Sequence, residues 1–220
     1  MRFLITNDDG VQSPGLWALA EAVAGLGEVW VVAPDREQSA ASHAISLHRP
    51  LRMAQLKPNV FEVDGTPTDC VYVAFHHLLK DRRPDVVLSG INRGANLGDD
   101  VICSGPVAAA MEGALFGAVG LAFSLVSPSR LFPFDQTTRF IRPFVEAVVA
   151  ARLPAGSLLN INLPEAGLDR WAWTRQGKRT YAEKVEERLD PRGRKYYWIG
   201  GAENAHENIA GSDCNAIYHD

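Results

Sequence analysis

Arg2-Phe3-Leu4-Ile5-Thr6-Asn7-Asp8-Asp9-Gly10 is an apolar run that ends abruptly in an amide, two carboxylates and a glycine. An unbroken run of this kind reads as a short strand of a buried parallel sheet, covered on both faces. A helix is expected directly after it, with Ser13 as N-cap, Pro14 at the first helical position, a body from Leu16 to Leu26 and Gly27 beyond the end. In an open α/β sheet, ligands bind outside the carboxyl ends of the strands, so Asp8 and Asp9 stand where chemistry is usually found. Neighbouring carboxylates repel, and a buried pair needs a cation or a shared proton. Magnesium and manganese, as hard cations, prefer such oxygens. Asn-Asp-Asp-Gly is equally sound turn chemistry, and alone it leaves both readings open.

Outward from this stretch, strand and helix alternate. Val29 to Ala33 is a second buried strand stopped by Pro34, and a polar loop runs from Asp35 to about His43. Ile45 to Met53 and Val60 to Val63 read as an excursion of two short strands. Thr68 to Leu79 is an expected helix, Asp85 to Ser89 a third parallel strand, and Gly90 to Gly105 a glycine-bearing loop. A helix from Pro106 to about Phe116, a strand at 120–125, a helix near 137–151 and a strand at 158–162 complete the pattern. Such alternation implies an α/β fold: a mostly parallel, doubly wound sheet with helices on both faces and right-handed crossovers. After Pro164 the character changes. Trp171 to Thr174, Thr180 to Val185 and Tyr196 to Ile199 are aromatic strand-like segments, with Asp190-Pro191-Arg192-Gly193 as a turn. The expectation is a core over 1–164, with 165–220 as a protruding β-hairpin arm and C-terminal segment, too small to own a core. Exposed aromatics on such an arm suggest a subunit interface or a substrate wall.

The 220 residues are 46% hydrophobic and 22% charged, which is ordinary globular composition. A net charge of −4 leaves no basic field for a nucleic acid polymer, although one phosphate needs only a local site. Three widely spaced cysteines, Cys70, Cys103 and Cys214, have no metal-ligand rhythm and read as reduced thiols. No signal peptide is visible, and the longest apolar stretch, Ala114 to Val126, is broken by glycines and too short to span a bilayer. The expected setting is the cytoplasm, with no membrane partner.

Three expected strand ends deliver polar groups to one edge of the sheet: Asp8 and Asp9, then Ser39, then Ser89-Gly90-Ile91-Asn92. Two carboxylates, a hydroxyl and an amide oxygen form an oxygen-only donor set that suits a hard divalent ion. Further on lie Gly94-Ala95-Asn96-Leu97-Gly98 and Ser104-Gly105, the latter directly before a helix whose amides and dipole favour an anion. Each piece has a plainer reading. Ser39 suits a plain loop, His43 is a candidate acid or base for the leaving group but equally an incidental loop histidine, Asn92 and Asn96 suit turns, Ser104 suits a helix cap, and His76-His77 suit a helix surface. Convergence at one edge favours a metal beside a phosphate cradle.

Several long segments resemble the SurE (survival protein E) family of metal-dependent 5′-nucleotidases. They are Thr6 to Gly10 with Pro14-Gly15, Val32 to Ser39, Gly65 to Val71, Ser89 to Gly98, and Ser104-Gly105 with Ala108 to Gly113, in order and spacing, with looser similarity through Asn160 to Pro164. The resemblance implies a Rossmann-like fold with a protruding hairpin, and a phosphomonoesterase that hydrolyses nucleoside 5′-monophosphates, with 3′-nucleotides and short polyphosphate as further substrates in some members. Carried over by position, it implies one magnesium or manganese per subunit held by Asp8, Asp9, Ser39 and Asn92, catalysis by Asp9 and Asp8, a phosphate site of Asn96, Ser104 and Gly105, and homodimers or homotetramers. Two departures bear on activity: Cys103 and Pro106 stand where the family usually has Tyr and Thr around Ser-Gly. Pro106 lacks an N–H and a hydroxyl, which removes anion donors. The chain also stops at Tyr218-His219-Asp220, where the family continues with a Gly-rich tail. The rival readings are a non-catalytic nucleotide-binding module and a structural α/β protein with an empty crevice.

Overall fold

A computed structural model describes residues 1–168, 170–180, 185–199 and 205–219. They fall into two units, one of Met1–Asn96 with Val101–Trp171, the other of Leu97–Asp100 with Ala172–Asp220.

The first unit is built on a seven-stranded sheet. Its strands are β1 (Arg2–Thr6), β2 (Glu28–Pro34), β3 (Met53–Lys57), β4 (Val60–Val63), β5 (Val86–Arg93), β6 (Val119–Val126) and β7 (Leu158–Pro164). They lie in the order β3-β4-β2-β1-β5-β6-β7, all parallel except β3, which runs antiparallel to β4. The helices are α1 (Pro14–Ala22), α2 (Pro67–Val73), α3 (Gly105–Leu115) and α4 (Phe134–Ala151). Successive side chains of a strand point to opposite faces, and β1 shows it: Phe3 and Ile5 pack with Leu16 and Leu19 of α1 and Ile141 and Val145 of α4, whereas Leu4 packs with Cys70 and Val71 of α2 and Ala109 of α3. Both faces are therefore covered, which is why the run could be wholly apolar.

The strand order fixes the position of the crevice. From β1 the chain goes to β2 on one side, and β5 pairs on the other, with Thr6 beside Ser89. That is a switch point, and the ends of β1 and β5 open onto it.

Three sequence expectations are corrected here. The strand read over Ile45 to Met53 lies at Met53–Lys57, because Ile45 and Leu47 are exposed and this stretch is held by side chains: Thr66 Oγ1 donates to the Ala44 carbonyl at 2.7 Å, and Ser46 N–H donates to Asp69 Oδ1 at 2.9 Å. β5 does not stop at Ser89 but runs through Gly90 to Arg93, pairing Asn92 and Arg93 with Ser124 and Leu125 after a register shift. Gly90 makes this possible at φ +135°, where a Cβ would sit 2.3 Å from the Phe123 carbonyl oxygen. The helix read from Thr68 to Leu79 is α2 followed by a wider π turn over Ala74–Leu78. Its start is a reciprocal cap, Thr66 Oγ1 accepting from Asp69 N–H and Asp69 Oδ2 accepting from Thr66 N–H.

In the second unit, β9 (Val185–Leu189) and β10 (Lys195–Ile199) form an antiparallel hairpin. Its turn is tied by Asp190, whose carboxylate accepts from the N–H groups of Arg192 and Arg194 and from Arg194 Nε. A second ribbon pairs β8 (Arg179–Thr180) with β11 (Ala205–His206), and α5 (Asp213–Tyr218) follows a Ser212 cap. Of the strand expected over 180–185, residues 181–184 lie outside the described ones. Trp171 to Thr174 form no strand; the nearest pairing is an isolated bridge between Arg175 and Ser212.

Candidate active site

Four buried polar atoms at the end of β1 and beside it within β5, namely Thr6 Oγ1, Asn7 Oδ1, Asp8 Oδ1 and Ser89 Oγ, have no hydrogen-bond partner among the described residues. Buried polar atoms are almost always paired, so such a cluster at a switch point marks a place built for something to bind. Asp8 is 5% exposed, and its carboxyl is pushed up to about 7, first by burial and then by the Asp9 and Glu37 carboxylates. Asp9 is half-buried and also raised, by burial and Glu37, with the Arg93 guanidinium opposing. An orphaned carboxylate oxygen beside a second carboxylate is a donor set a divalent cation fits, since the cation would relieve both the repulsion and the missing partner.

The other expected residues are distributed around this pair. Gly105 opens α3 against Asp8: a Cβ there would lie 2.8 Å from Asp8 Cβ and 2.9 Å from Oδ2. Ser104 caps α3, its Oγ accepting from Val107 N–H at 3.2 Å, while Ala108 N–H donates to the Ser104 carbonyl. With Pro106 lacking an N–H, the amides of Ser104 and Gly105 are the donors of this helix start that these bonds do not account for, so the anion cradle is narrower than a generic helix end. Asn92 is half-buried at the end of β5, its Nδ2 donating to the Gly94 carbonyl at 3.0 Å. Ser39 is exposed and its Oγ donates to Glu37 Oε1 at 2.6 Å; its loop reaches Asp8 through Gln38 N–H, which donates to the Asp8 carbonyl at 2.7 Å.

Asn96 is fixed by its neighbours. Its Nδ2 donates to Ser124 Oγ at 2.7 Å, its N–H to Asn162 Oδ1, and its carbonyl accepts from Asn160 and Asn162. Sequence reasoning assigned no role to Asn160 and Asn162, although their alternate spacing on β7 puts both on one face. It also passed over Glu37 and Arg93, two charges facing the aspartates. His43 Nε2 lies 2.7 Å from Glu112 Oε2 of α3. Among the described residues, three or more His, Cys, Asp or Glu side chains nowhere cluster to hold a metal ion; the expected set has two carboxylates, its other donors being hydroxyl and amide oxygens.

A family model described as survival protein SurE matches residues 3–183. A 5′-nucleotidase SurE of Myxococcus xanthus is 58% identical over 221 residues, covering 100% of this chain and 84% of that protein. One of an Anaeromyxobacter species is 58% identical over 219 residues, covering 99% and 85%. Among solved structures, the SurE protein from Aquifex aeolicus superposes with a TM-score of 0.83 at 38% identity, covering 99% of this chain and 89% of that one. With the aspartate pair at the switch point and this match along its length, the chain belongs to the SurE family.

Proposed function

We propose that this chain is a 5′-nucleotidase, a phosphomonoesterase that hydrolyses nucleoside 5′-monophosphates, with magnesium or manganese held by Asp8, Asp9, Asn92 and Ser39. The observation that carries the reading is the buried Asp8 carboxylate, its Oδ1 without a partner among the described residues, packed against the start of α3, where a cation and a phosphate would meet. Relatives covering nearly the whole chain carry the name 5′-nucleotidase, which supplies the substrate class.

When bound, a divalent ion supplies charge to polarise a phosphoryl oxygen and acidify a water. Asp9, the more accessible carboxylate, orients the attacking water and takes its proton. The water oxygen bonds to phosphorus as the bond to the ribose 5′ oxygen breaks, that oxygen takes a proton from solvent, Asp9 returns its own to solvent, and the products are nucleoside and inorganic phosphate. The Gly105 N–H donates to an equatorial phosphoryl oxygen, and Arg93 adds positive charge at the same edge. Ser39, whose Oγ donates to Glu37, would hold the ion by giving up that bond. The Asn160–Asn162 clasp keeps Asn96 and its loop in register with β6 and β7 at the phosphate side.

Phosphate release from 5′-AMP with added manganese or magnesium tests this reading, against an EDTA control and the Asp9→Asn variant. Metal-dependent release that falls by about 10³-fold or more in the variant is expected. Binding of 5′-AMP with no release at any metal concentration would instead support a nucleotide-binding module, the reading that Pro106 and the occupied Val107 N–H favour. A phosphorylated aspartate trapped by acid quench would replace the attacking water with direct aspartate attack.

The same reading places the protein in the cytoplasm and takes residues 165–220 as an arm for self-association. Among the described residues, no helix is long and apolar enough to cross a membrane. On the hairpin, Ile199 is 91% exposed and Trp198 60% exposed, with Val185, Leu189 and Tyr197 also exposed, an apolar surface that a second copy would cover. Sedimentation as a dimer or tetramer is expected; a monomer at micromolar concentration would contradict the assembly.

A further inference from the structure

Glu112 is a carboxylate in the middle of α3 with a side chain only 5% exposed, in a run of alanines and glycines that offers it no partner of its own element. Its contact is His43, 69 positions away on the loop that carries Ser39, at 2.7 Å from Nε2 to Oε2. A buried carboxylate is retained only where something answers it, and among the described residues a loop histidine does.

That loop is shaped against its own preferences. Ala40 and Ser42 have φ of 57° and 52°, a left-handed conformation that non-glycine residues avoid. Strain of this kind persists only where the surroundings over-determine it, and it concentrates at binding sites. The loop is fastened on every side: Gln38 N–H to the Asp8 carbonyl, Ser42 Oγ to the Ile102 carbonyl at 2.9 Å, His43 to Glu112, and the Ala44 carbonyl to Thr66 Oγ1. Of these, the His43–Glu112 contact is the one between two ionisable side chains, and it joins the loop to the helix whose first residue abuts Asp8.

We propose that Glu112, acting through His43, is a positioning residue that holds the strained Ser39–His43 segment so that Ser39 is presented to the Asp8–Asp9 pair. The proposal rests on the metal site assigned under the proposed function. The pair thus couples the two halves of the site, the oxygen donors on the loop and the anion-facing start of α3. Neither His43 nor Glu112 touches the reacting atoms in this role. Partners that orient a metal ligand typically change metal affinity or activity by about 10- to 100-fold when removed.

The test is manganese affinity of the full chain by calorimetry, with hydrogen exchange at residues 40–46 in the metal-free protein as a second readout. His43→Ala, on a half-exposed loop residue, and Glu112→Ala are each expected to weaken manganese binding at least tenfold and to speed exchange at 40–46. The double variant is expected to be no weaker than the worse single one, because both remove the same contact. Glu112→Gln, which keeps shape and hydrogen bonding, is expected to stay within threefold of wild type. At saturating manganese, kcat of His43→Ala is expected to recover to near wild type while the manganese concentration for half-activation stays raised, a split that general destabilisation would not produce.

Unchanged manganese affinity in folded His43→Ala, with binding still lost in Asp8→Asn, would overturn the positioning role and leave the metal site standing. Additive losses in the double variant would also overturn it. Manganese binding that survives Asp8→Asn would remove the metal site itself, and this inference with it.

Discussion

Asp8→Asn is expected to abolish phosphate release, by about 10³-fold or more, and at the same time to make the metal-free protein more stable at pH 8. The two effects have one cause. Asp8 is buried beside Asp9 and faces Glu37, and its carboxyl is pushed up from 3.8 to about 7. Between those pH values the folded protein holds a proton that the unfolded chain has released. Metal-free stability therefore falls as pH rises from about 4 through about 7, and the full penalty remains above that. For a shift of this size the penalty is of the order of 2–4 kcal/mol, and an asparagine, which carries no charge, escapes it. Thermal unfolding in EDTA at pH 8 should show the variant melting roughly 5–10 °C above wild type, with the gap closing by pH 4. Saturating manganese should raise the wild-type midpoint at pH 8 and leave that of the variant nearly unmoved. A variant less stable than wild type in EDTA at pH 8 would mean that Asp8 is satisfied without a cation.

The second large effect is expected at Gly105. An added methyl would lie 2.8 Å from Asp8 Cβ and 2.9 Å from its Oδ2, a distance at which something must move. Asp8 Oδ2 can swing aside, whereas Asp8 Cβ moves only with its backbone, so the methyl should both displace the carboxylate and push the end of β1 from the α3 cap at Ser104. Gly105→Ala should lower kcat/KM by about 10²-fold through displacement of that carboxylate. Overpacking should cost about 1–2 kcal/mol of stability. In an Asp8→Gly background, which removes Cβ as well as the carboxylate, the overlap disappears, so the added cost of Gly105→Ala should vanish while activity stays absent. Kinetics and urea midpoints on the four proteins of this cycle check both halves. Full activity in Gly105→Ala would show that the close approach of α3 to Asp8 has no part in the reaction.

Much of this architecture is legible in the sequence because buried parallel strands are strong signals. The runs at 2–6, 29–33 and 120–125 need no partner information to be recognised, and the Asp8–Asp9 pair follows directly from where the first one ends. The edge strand Met53–Lys57 is missed because its residues are mostly exposed and its alternation is weak, whereas exposed Ile45 and Leu47 imitate a strand pattern in a loop. Glycine at position 90 reads as a break, yet β5 passes through it by using the conformational freedom glycine has there. Trp171 and Trp173 have strand-forming side chains, yet Trp171 to Thr174 adopt no strand. At the site, residue types were readable and partnerships were not. Nothing local announces that Asn96 is clasped from β7 or that Glu112 answers a histidine 69 positions away. Those contacts depend on the three-dimensional return of distant segments to one sheet edge.

The most direct examination of the central claim is the anomalous diffraction of manganese in crystals of the wild-type protein grown with manganese and phosphate at pH 8. A manganese peak within about 2.0–2.4 Å of Asp8 and Asp9 oxygens, with phosphate between it and the Gly105 N–H, is expected. Manganese bound elsewhere, with Asp8 and Asp9 left without a cation, would overturn the assignment of this strand end as the active site.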